Sequence, residues 1–158
     1  RANFILDSIL KDVIQRGTGR RARVLERPDI GGKTGTTNGP LDAWFSGYQR
    51  NVATTVWVGY DNDQKLGSRE YGGSAALPIW IDYMRAALRD EPIYERPIPD
   101  GVVSVRINPA NGLRSRNNQN SVQEYFRREF LPEFEPDAIQ DLYQSDEVQQ
   151  SRDLEDIF

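Results

Sequence analysis

The chain of 158 residues contains no histidine and no cysteine. Without histidine there is no Ser-His-Asp triad. Losing both residue types removes the thiol nucleophile and the usual zinc sites. A lack of cysteine suits many compartments and says little about redox conditions. No apolar run approaches the length needed to span a membrane, and no signal peptide is visible. The net charge of −4 gives no reason to expect nucleic-acid binding. Hydrophobic content is a modest 37%, lowered by a polar C-terminal third. Length by itself suggests one domain. The chain opens on Arg1 rather than methionine, which invites the reading of a fragment or a processed product.

Against these absences stands one dense stretch, Gly31-Gly32-Lys33-Thr34-Gly35-Thr36-Thr37. A phosphate-binding loop of the form Gly-x-x-x-x-Gly-Lys-[Ser/Thr] needs a glycine where this chain has Arg27, followed by Pro28 and Asp29. Arginine places a side chain where the backbone must curl around phosphate. A strand fits better. Side chains alternate along a strand, so Lys33, Gly35 and Thr37 point one way and Thr34 and Thr36 the other. Two threonine hydroxyls on one face can hold a carboxylate. Gly35 removes a side chain where a ligand backbone could approach. On the residues alone, an ordinary strand with threonines chosen for propensity is an equal alternative.

The rest of the chain reads as an α+β arrangement. Residues 2–16 carry Ile5, Leu6, Ile9, Leu10, Val13 and Ile14 at helical spacing, with Asp7, Ser8, Lys11 and Asp12 on a polar face. Gly17-Thr18-Gly19 is a turn. Strands are expected at 30–37, 43–49 and 52–59, the last two joined through Arg50-Asn51 as an antiparallel hairpin. Trp44, Phe45, Tyr48, Val56, Trp57 and Val58 read as core or sheet-face residues. Asp61-Asn62-Asp63 lacks the spacing of a calcium loop and reads as a turn. Gly72-Gly73 is expected as a flexible joint before a helix with Pro78 in its first turn and Leu77, Ile81, Met84 and Leu88 as its apolar stripe. A connector at 91–100 holds Pro92, Pro97 and Pro99. Beyond it, 102–107 alternates like a strand, Asn108–Gly112 turns, and Ser121-Val122-Gln123-Glu124 has the pattern of a capping box opening a short helix with Tyr125, Phe126 and Phe130. From Glu133 onward nine acidic residues face only Arg152, the pattern of a solvated, mobile tail.

The order of these pieces carries a resemblance. Arg16-Gly17-Thr18-Gly19-Arg20-Arg21-Ala22 precedes Lys33-Thr34-Gly35-Thr36-Thr37-Asn38. Asp42-Ala43-Trp44-Phe45-Ser46-Gly47-Tyr48, Val56-Trp57-Val58-Gly59-Tyr60-Asp61 and Gly72-Gly73-Ser74-Ala75-Ala76-Leu77-Pro78-Ile79-Trp80 follow. This succession resembles the C-terminal part of the transpeptidase domain of class A, bifunctional penicillin-binding proteins. Lys-Thr-Gly is one of the three motifs of the penicillin-binding and serine β-lactamase group. The close match covers residues 1–90. Residues 91–135 match loosely and the tail does not match. The other two motifs lie upstream of Lys-Thr-Gly in that family. Ser8 and Lys11 form a nominal Ser-x-x-Lys, but too close to Lys33 and on the polar helix face. Ser115-Arg116-Asn117 matches Ser-x-Asn in the wrong order. Both read as accidents, so the chain looks like one wall of an active site without its nucleophile.

The resemblance implies an antiparallel sheet flanked by helices over residues 1–90; the residues themselves add a connector at 91–100, a small β-containing appendage at 101–135 and an acidic tail at 136–158. It implies a serine D,D-transpeptidase acting on peptidoglycan stem peptides that end in D-Ala-D-Ala, open to β-lactams, using no cofactor and no metal. Lys33 would position and polarise the serine of the Ser-x-Asn motif. Thr34 and Thr36 hydroxyls would hold the substrate carboxylate, with Gly35 and Thr37 alongside, and the backbone N–H of Thr36 would be an oxyanion donor. The nucleophilic serine would come from an upstream half of the same protein. The implied location is the extracytoplasmic face of the cell membrane, anchored by a segment outside this chain. The rival readings are a serine β-lactamase, disfavoured by the length of chain after Lys33, a non-catalytic β-lactam or muropeptide sensor of the same fold, and a purely structural module.

Overall fold

A computed structural model describes residues 1–117 and 119–136. Along the chain come helix α1 (Ala2–Gln15), a 3-10 turn (Arg20–Leu25), strands β1 (Gly31–Thr36), β2 (Asp42–Gln49) and β3 (Val52–Gly59), and a π-helical turn (Gly72–Ala76) that runs into helix α2 (Leu77–Ala87). Strands β4 (Val102–Ile107) and β5 (Val122–Arg127) and a short 3-10 turn (Arg128–Phe130) follow. Both sheets are antiparallel, with helices beside the larger one, which is the α+β class expected. The backbone divides into two units, residues 1–100 and the part from Gly101 onward. Apart from Pro136, the expected acidic tail lies outside the described residues.

The first unit is built on a sheet of order β1-β2-β3. Arg50 and Asn51 close the β2–β3 hairpin, with Gln49 opposite Val52. Alternation along β2 buries Ala43, Phe45, Gly47 and Gln49, and exposes Trp44 and Ser46. Helix α2 covers the buried face. Pro78 sits in its first turn, where a missing N–H has no helical partner to lose. Its stripe of Leu77, Trp80, Ile81 and Met84 joins Phe45, Ile30, Ile14, Ala22, Ala76 and Leu88 in one core. Trp80 meets Phe45 edge to face at 4.9 Å and donates its indole N–H to Thr54 O at 3.2 Å. A Cβ on Gly47 would fall 2.5 Å from the Trp80 ring, so only glycine lets the indole lie against β2.

Helix α1 forms over the expected span, but its faces are turned. Leu6 and Ile9, from the apolar stripe, are more than half exposed. Phe4 and Ile14 are its buried residues, and part of the polar side meets the sheet as well: Asp7 accepts the Tyr48 hydroxyl at 2.7 Å and pairs with Lys11 at 2.9 Å. Ser8 and Lys11 therefore do not lie on a fully solvated face as the periodicity suggested. The half-buried phenol at Tyr48 needs an acceptor, and Asp7 supplies it. Burial and the Asp7 carboxylate together push the Tyr48 hydroxyl's pKa upward.

In the second unit β4 pairs with β5, from Val102 opposite Arg127 to Ile107 opposite Val122. The expected helix after Ser121 is therefore corrected: residues 122–127 are a strand. The Ser-x-x-Glu pattern is a local signal. Val122, Tyr125 and Phe126 suit a pleated surface, and pairing with β4 decides between the two. Phe130 lies in the short 3-10 turn and is exposed. The Asn108–Gly112 turn closes with Gly112 at φ +74°, where a side chain would be strained. Asn108 and Asn111 side-chain amides both donate to Glu135, which lowers the pKa of its carboxyl.

Asp29, just ahead of β1, is buried at the centre of a polar network. Its carboxylate accepts Arg27 Nε at 3.0 Å and Nη2 at 2.8 Å, Gln49 Nε2 at 2.9 Å and the Tyr94 N–H at 3.0 Å. Arg27 in turn donates to the carbonyls of Glu91 at 2.7 Å and Pro92 at 3.0 Å. Burial by itself would raise the Asp29 pKa. The hydrogen bonds from Arg27, Gln49 and Tyr94, with the Arg27 charge, outweigh it and hold the pKa below its ordinary value. Asp29→Ala takes the charge partner from the largely buried Arg27 guanidinium and leaves Gln49 and the Tyr94 N–H without their acceptor, and we expect a loss of about 3 kcal/mol in urea denaturation at neutral pH. Because the folded pKa is the lower one, the stabilisation is complete above the unfolded value of about 4 and fades as pH falls through the folded value. The gap between parent and variant should therefore narrow at pH 3. An equal gap at both pH values would show that the charge of Asp29 is not what stabilises.

Candidate active site

The geometry of the Lys33 strand follows from its register. Thr37 donates its N–H to Asp42 O at 3.1 Å, continuing the ladder in which Thr36 faces Ala43 and Gly35 faces Trp44. Antiparallel pairs alternate between hydrogen-bonded and non-hydrogen-bonded. Thr37, Gly35 and Lys33 therefore direct their backbone groups toward β2, and Thr36 and Thr34 direct theirs away from it. Among the described residues β1 pairs with β2 alone, so those N–H and C=O groups lie on an open sheet edge. Lys33 already uses one of them: its ammonium curls over the edge to Thr34 O at 2.8 Å and reaches Thr34 Oγ1 at 3.5 Å.

The same register places the side chains. Thr34 and Thr36 stand opposite Phe45 and Ala43, on the face that α2 covers, and both line an open cleft of about 940 Å³. Thr36 Oγ1 accepts the Gly72 N–H at 3.1 Å, and Thr34 Oγ1 lies 2.7 Å from Thr18 Oγ1. Lys33 projects to the opposite face, beside Ser46 and Tyr48. Thr37 is not brought to the cleft: its hydroxyl accepts the Asp42 N–H at 2.9 Å, while Asp42 also accepts the Trp57 indole N–H at 2.9 Å. The missing side chain of Gly35 makes room for Trp44, whose Cβ would lie 3.2 Å from an added Cβ, on the face away from the two threonine hydroxyls.

The remaining cleft wall comes from loops that a local reading treated as turns. Thr18 and Arg21 follow α1, and Arg69, Tyr71, Gly72 and Ser74 precede α2. The guanidiniums of Arg21 and Arg69 give the wall positive charge. Ser74 is held as a cap, accepting the Tyr71 N–H at 2.8 Å and donating to Arg69 O at 2.7 Å. Gly72 is no flexible joint. It is buried, and a Cβ there would fall 2.3 Å from Trp44 O and 2.6 Å from Gly35 O. The turn thus presses directly on the β1–β2 ladder. Hydroxyl donors, edge N–H groups and nearby cations make a wall suited to an extended peptide with a carboxylate.

No family model matches the chain. Penicillin-binding protein 1A of Pseudomonas aeruginosa is 56% identical over 112 residues, covering 71% of this chain and 14% of that protein. The protein of the same name from Neisseria lactamica is 47% identical over 104 residues, covering 66% of this chain and 13% of its own length. The crystal structure of penicillin-binding protein 1A from Haemophilus influenzae superposes with a TM-score of 0.75 at 38% identity, over 82% of this chain and 20% of that one. The chain belongs to the class A penicillin-binding proteins. It spans only about a seventh of the length of these curated relatives. As a C-terminal part of such a protein, it carries the Lys-Thr-Gly strand with its cleft, and the sheet and helix that support them.

The fit at Gly72 generates a prediction. Gly72→Ala must displace the turn from backbone atoms that cannot yield. A loss of about 1–3 kcal/mol is expected from such overpacking, read from the shift of the denaturation midpoint. An unchanged midpoint would mean that the turn does not press on the ladder.

Proposed function

We propose that the chain forms one wall of a peptidoglycan D,D-transpeptidase site in a penicillin-binding protein. The observation that carries this reading is the open edge of β1, where the Thr34 and Thr36 hydroxyls share a cleft and the Thr36 N–H turns away from β2. A stem peptide ending in D-Ala-D-Ala would lie along this edge as an added strand. The hydroxyls of Thr34 and Thr36 take its carboxylate. The Thr36 N–H acts as one oxyanion donor as the tetrahedral intermediate forms. Lys33, its ammonium at the same edge, polarises a serine hydroxyl brought by the other half of the site. That half also supplies the nucleophile, which forms the acyl-enzyme and passes the acyl group to the amine of a second stem. β-Lactams acylate the same serine. The exposed Leu6, Ile9, Trp44 and Trp57 suit surfaces that the rest of such a protein covers. The whole protein works outside the cytoplasm, anchored through another segment; no described helix is long and apolar enough to cross a membrane. Neither a cofactor nor nucleic acid enters this reading.

Two expectations follow. In the complete protein, Lys33→Ala should slow acylation by a fluorescent penicillin by about 10²-fold, the scale of one electrostatic contact in the transition state, without unfolding the domain. Acylation at the parent rate would remove Lys33 from the mechanism. The chain by itself should take no label, since no histidine or cysteine is present and Ser74 is tied into its cap. Label mapped to Ser8 of the isolated chain would reverse the assignment of Ser8 and Lys11 as a chance match. A folded complete protein that takes no label would favour a non-catalytic muropeptide-binding domain.

A further inference from the structure

We propose that Thr18 is a positioning residue that turns the Thr34 hydroxyl proton toward the cleft. The inference rests on the reading of the β1 edge as a carboxylate site. Its starting point is the 2.7 Å contact between Thr18 Oγ1 and Thr34 Oγ1, two residues sixteen apart in the chain.

A hydroxyl has one proton to give and two lone pairs to receive with. In this pair one oxygen must donate and the other accept. If Thr34 donates to Thr18, it shows only lone pairs to the cleft and opposes an anion. If Thr18 donates, the Thr34 proton stays available for the anion. The Lys33 ammonium, 3.5 Å from Thr34 Oγ1, can only donate, and takes at most one of the two lone pairs there, so the other stays open to a bond from Thr18. A carboxylate in the cleft accepts only and so selects the second arrangement, and the bond from Thr18 then strengthens the Thr34 donor. Thr36 is arranged in the same way. Its oxygen accepts the Gly72 N–H at 3.1 Å, which leaves its own proton for the cleft. With a carboxylate bound, each cleft hydroxyl thus accepts from the protein and gives its proton to the ligand.

Thr18 is held for this by its backbone. The Gly17 N–H bonds to Asp12 O at 3.0 Å and the Gly19 N–H to Val13 O at 2.8 Å, wrapping the turn tightly onto the end of α1. A Cβ on Gly17 would lie 2.9 Å from Val13 Cα, so the wrap requires glycine there. On the other side an added Cβ on Gly73 would lie 3.2 Å from Thr18 O. Thr18 is therefore set between the end of α1 and the turn before α2, with its hydroxyl on Thr34. It carries no charge and acts only through the orientation of its neighbour.

The test uses the complete protein and the second-order rate of acylation by a fluorescent penicillin, with Thr18→Val, Thr18→Ser, Thr34→Val and the Thr18→Val/Thr34→Val double variant. Thr18→Val keeps the volume and removes the hydroxyl; Thr18→Ala serves in the same cycle should the valine variant not fold. The expected result is a loss of about tenfold in Thr18→Val, the scale of one charge-assisted hydrogen bond. Thr18→Ser should recover most of it. The double variant should be no slower than Thr34→Val, because Thr18 has nothing left to orient. The loss should appear in penicillin binding rather than in the acylation step that follows. Parent-like acylation in Thr18→Val beside a slow Thr34→Val overturns the proposal and leaves the site reading standing. So do losses that multiply in the double variant. Parent-like rates in both Thr18→Val and Thr34→Val overturn the carboxylate site itself, and the proposal with it.

Discussion

Everything that positions the cleft in the first unit depends on how the chain enters β1, and Asp29 controls that entry. Its carboxylate gathers Arg27 from its own loop, Gln49 from the end of β2 and the N–H of Tyr94 from the segment after α2. Arg27 then binds carbonyls at Glu91 and Pro92. A buried charge survives only when its lone pairs are filled, and here three separate stretches are needed to fill them. The cost of leaving any of them out makes the arrangement cooperative. The strand that follows starts in one register because Asp29 and Gln49 are tied together two residues before its first pair, Gly31 with Tyr48.

That register has chemical consequences because strand geometry admits no intermediate choice. A slip of one residue would exchange the two faces of β1 and reverse which backbone groups meet β2. In the observed register, Thr34 and Thr36 keep their hydroxyls in the cleft and their N–H groups on the open edge, while Lys33 reaches that edge from the far face. Close packing guards the arrangement. Trp44 fills the space beside Gly35, Gly72 bears on the ladder carbonyls, and Trp80 lies on Gly47. Beyond the end of β1, Thr37, Asp42 and Trp57 bond to one another, so the turn that closes the hairpin is itself a polar lock.

The cleft wall joins elements with different roles. β1 contributes hydroxyls and edge amides. The turn after α1 contributes Thr18 and Arg21, and the turn before α2 contributes Arg69, Tyr71 and a backbone N–H at Gly72. Loops carry much of the wall, yet their backbones are fixed by contacts with a helix end and a sheet. The result is a set of hydroxyls, amides and guanidiniums whose positions the fold sets.

Much of this was legible in the residues. Apolar spacing marked α1 and α2, and the two-residue link marked the β2–β3 hairpin, because those signals are local. Strand alternation separated Lys33 from Thr34 and Thr36 without any structure. Other features needed the tertiary fold. Helix α1 turns Asp7 inward because a half-buried phenol on β2 needs an acceptor, which no property of the helix itself reveals. The stretch after Ser121 is a strand because β4 lies opposite, and pairing outweighs a capping pattern. Gly72 read as a flexible joint, yet it is pressed against the ladder carbonyls, and Gly35 also leaves room for Trp44. Thr18 gained its partner only when the fold set it against Thr34, sixteen residues on. Local chemistry and period belong to the sequence; which hydroxyl, carboxylate or backbone comes within hydrogen-bond distance across the chain is a matter of packing, and only the folded structure decides it.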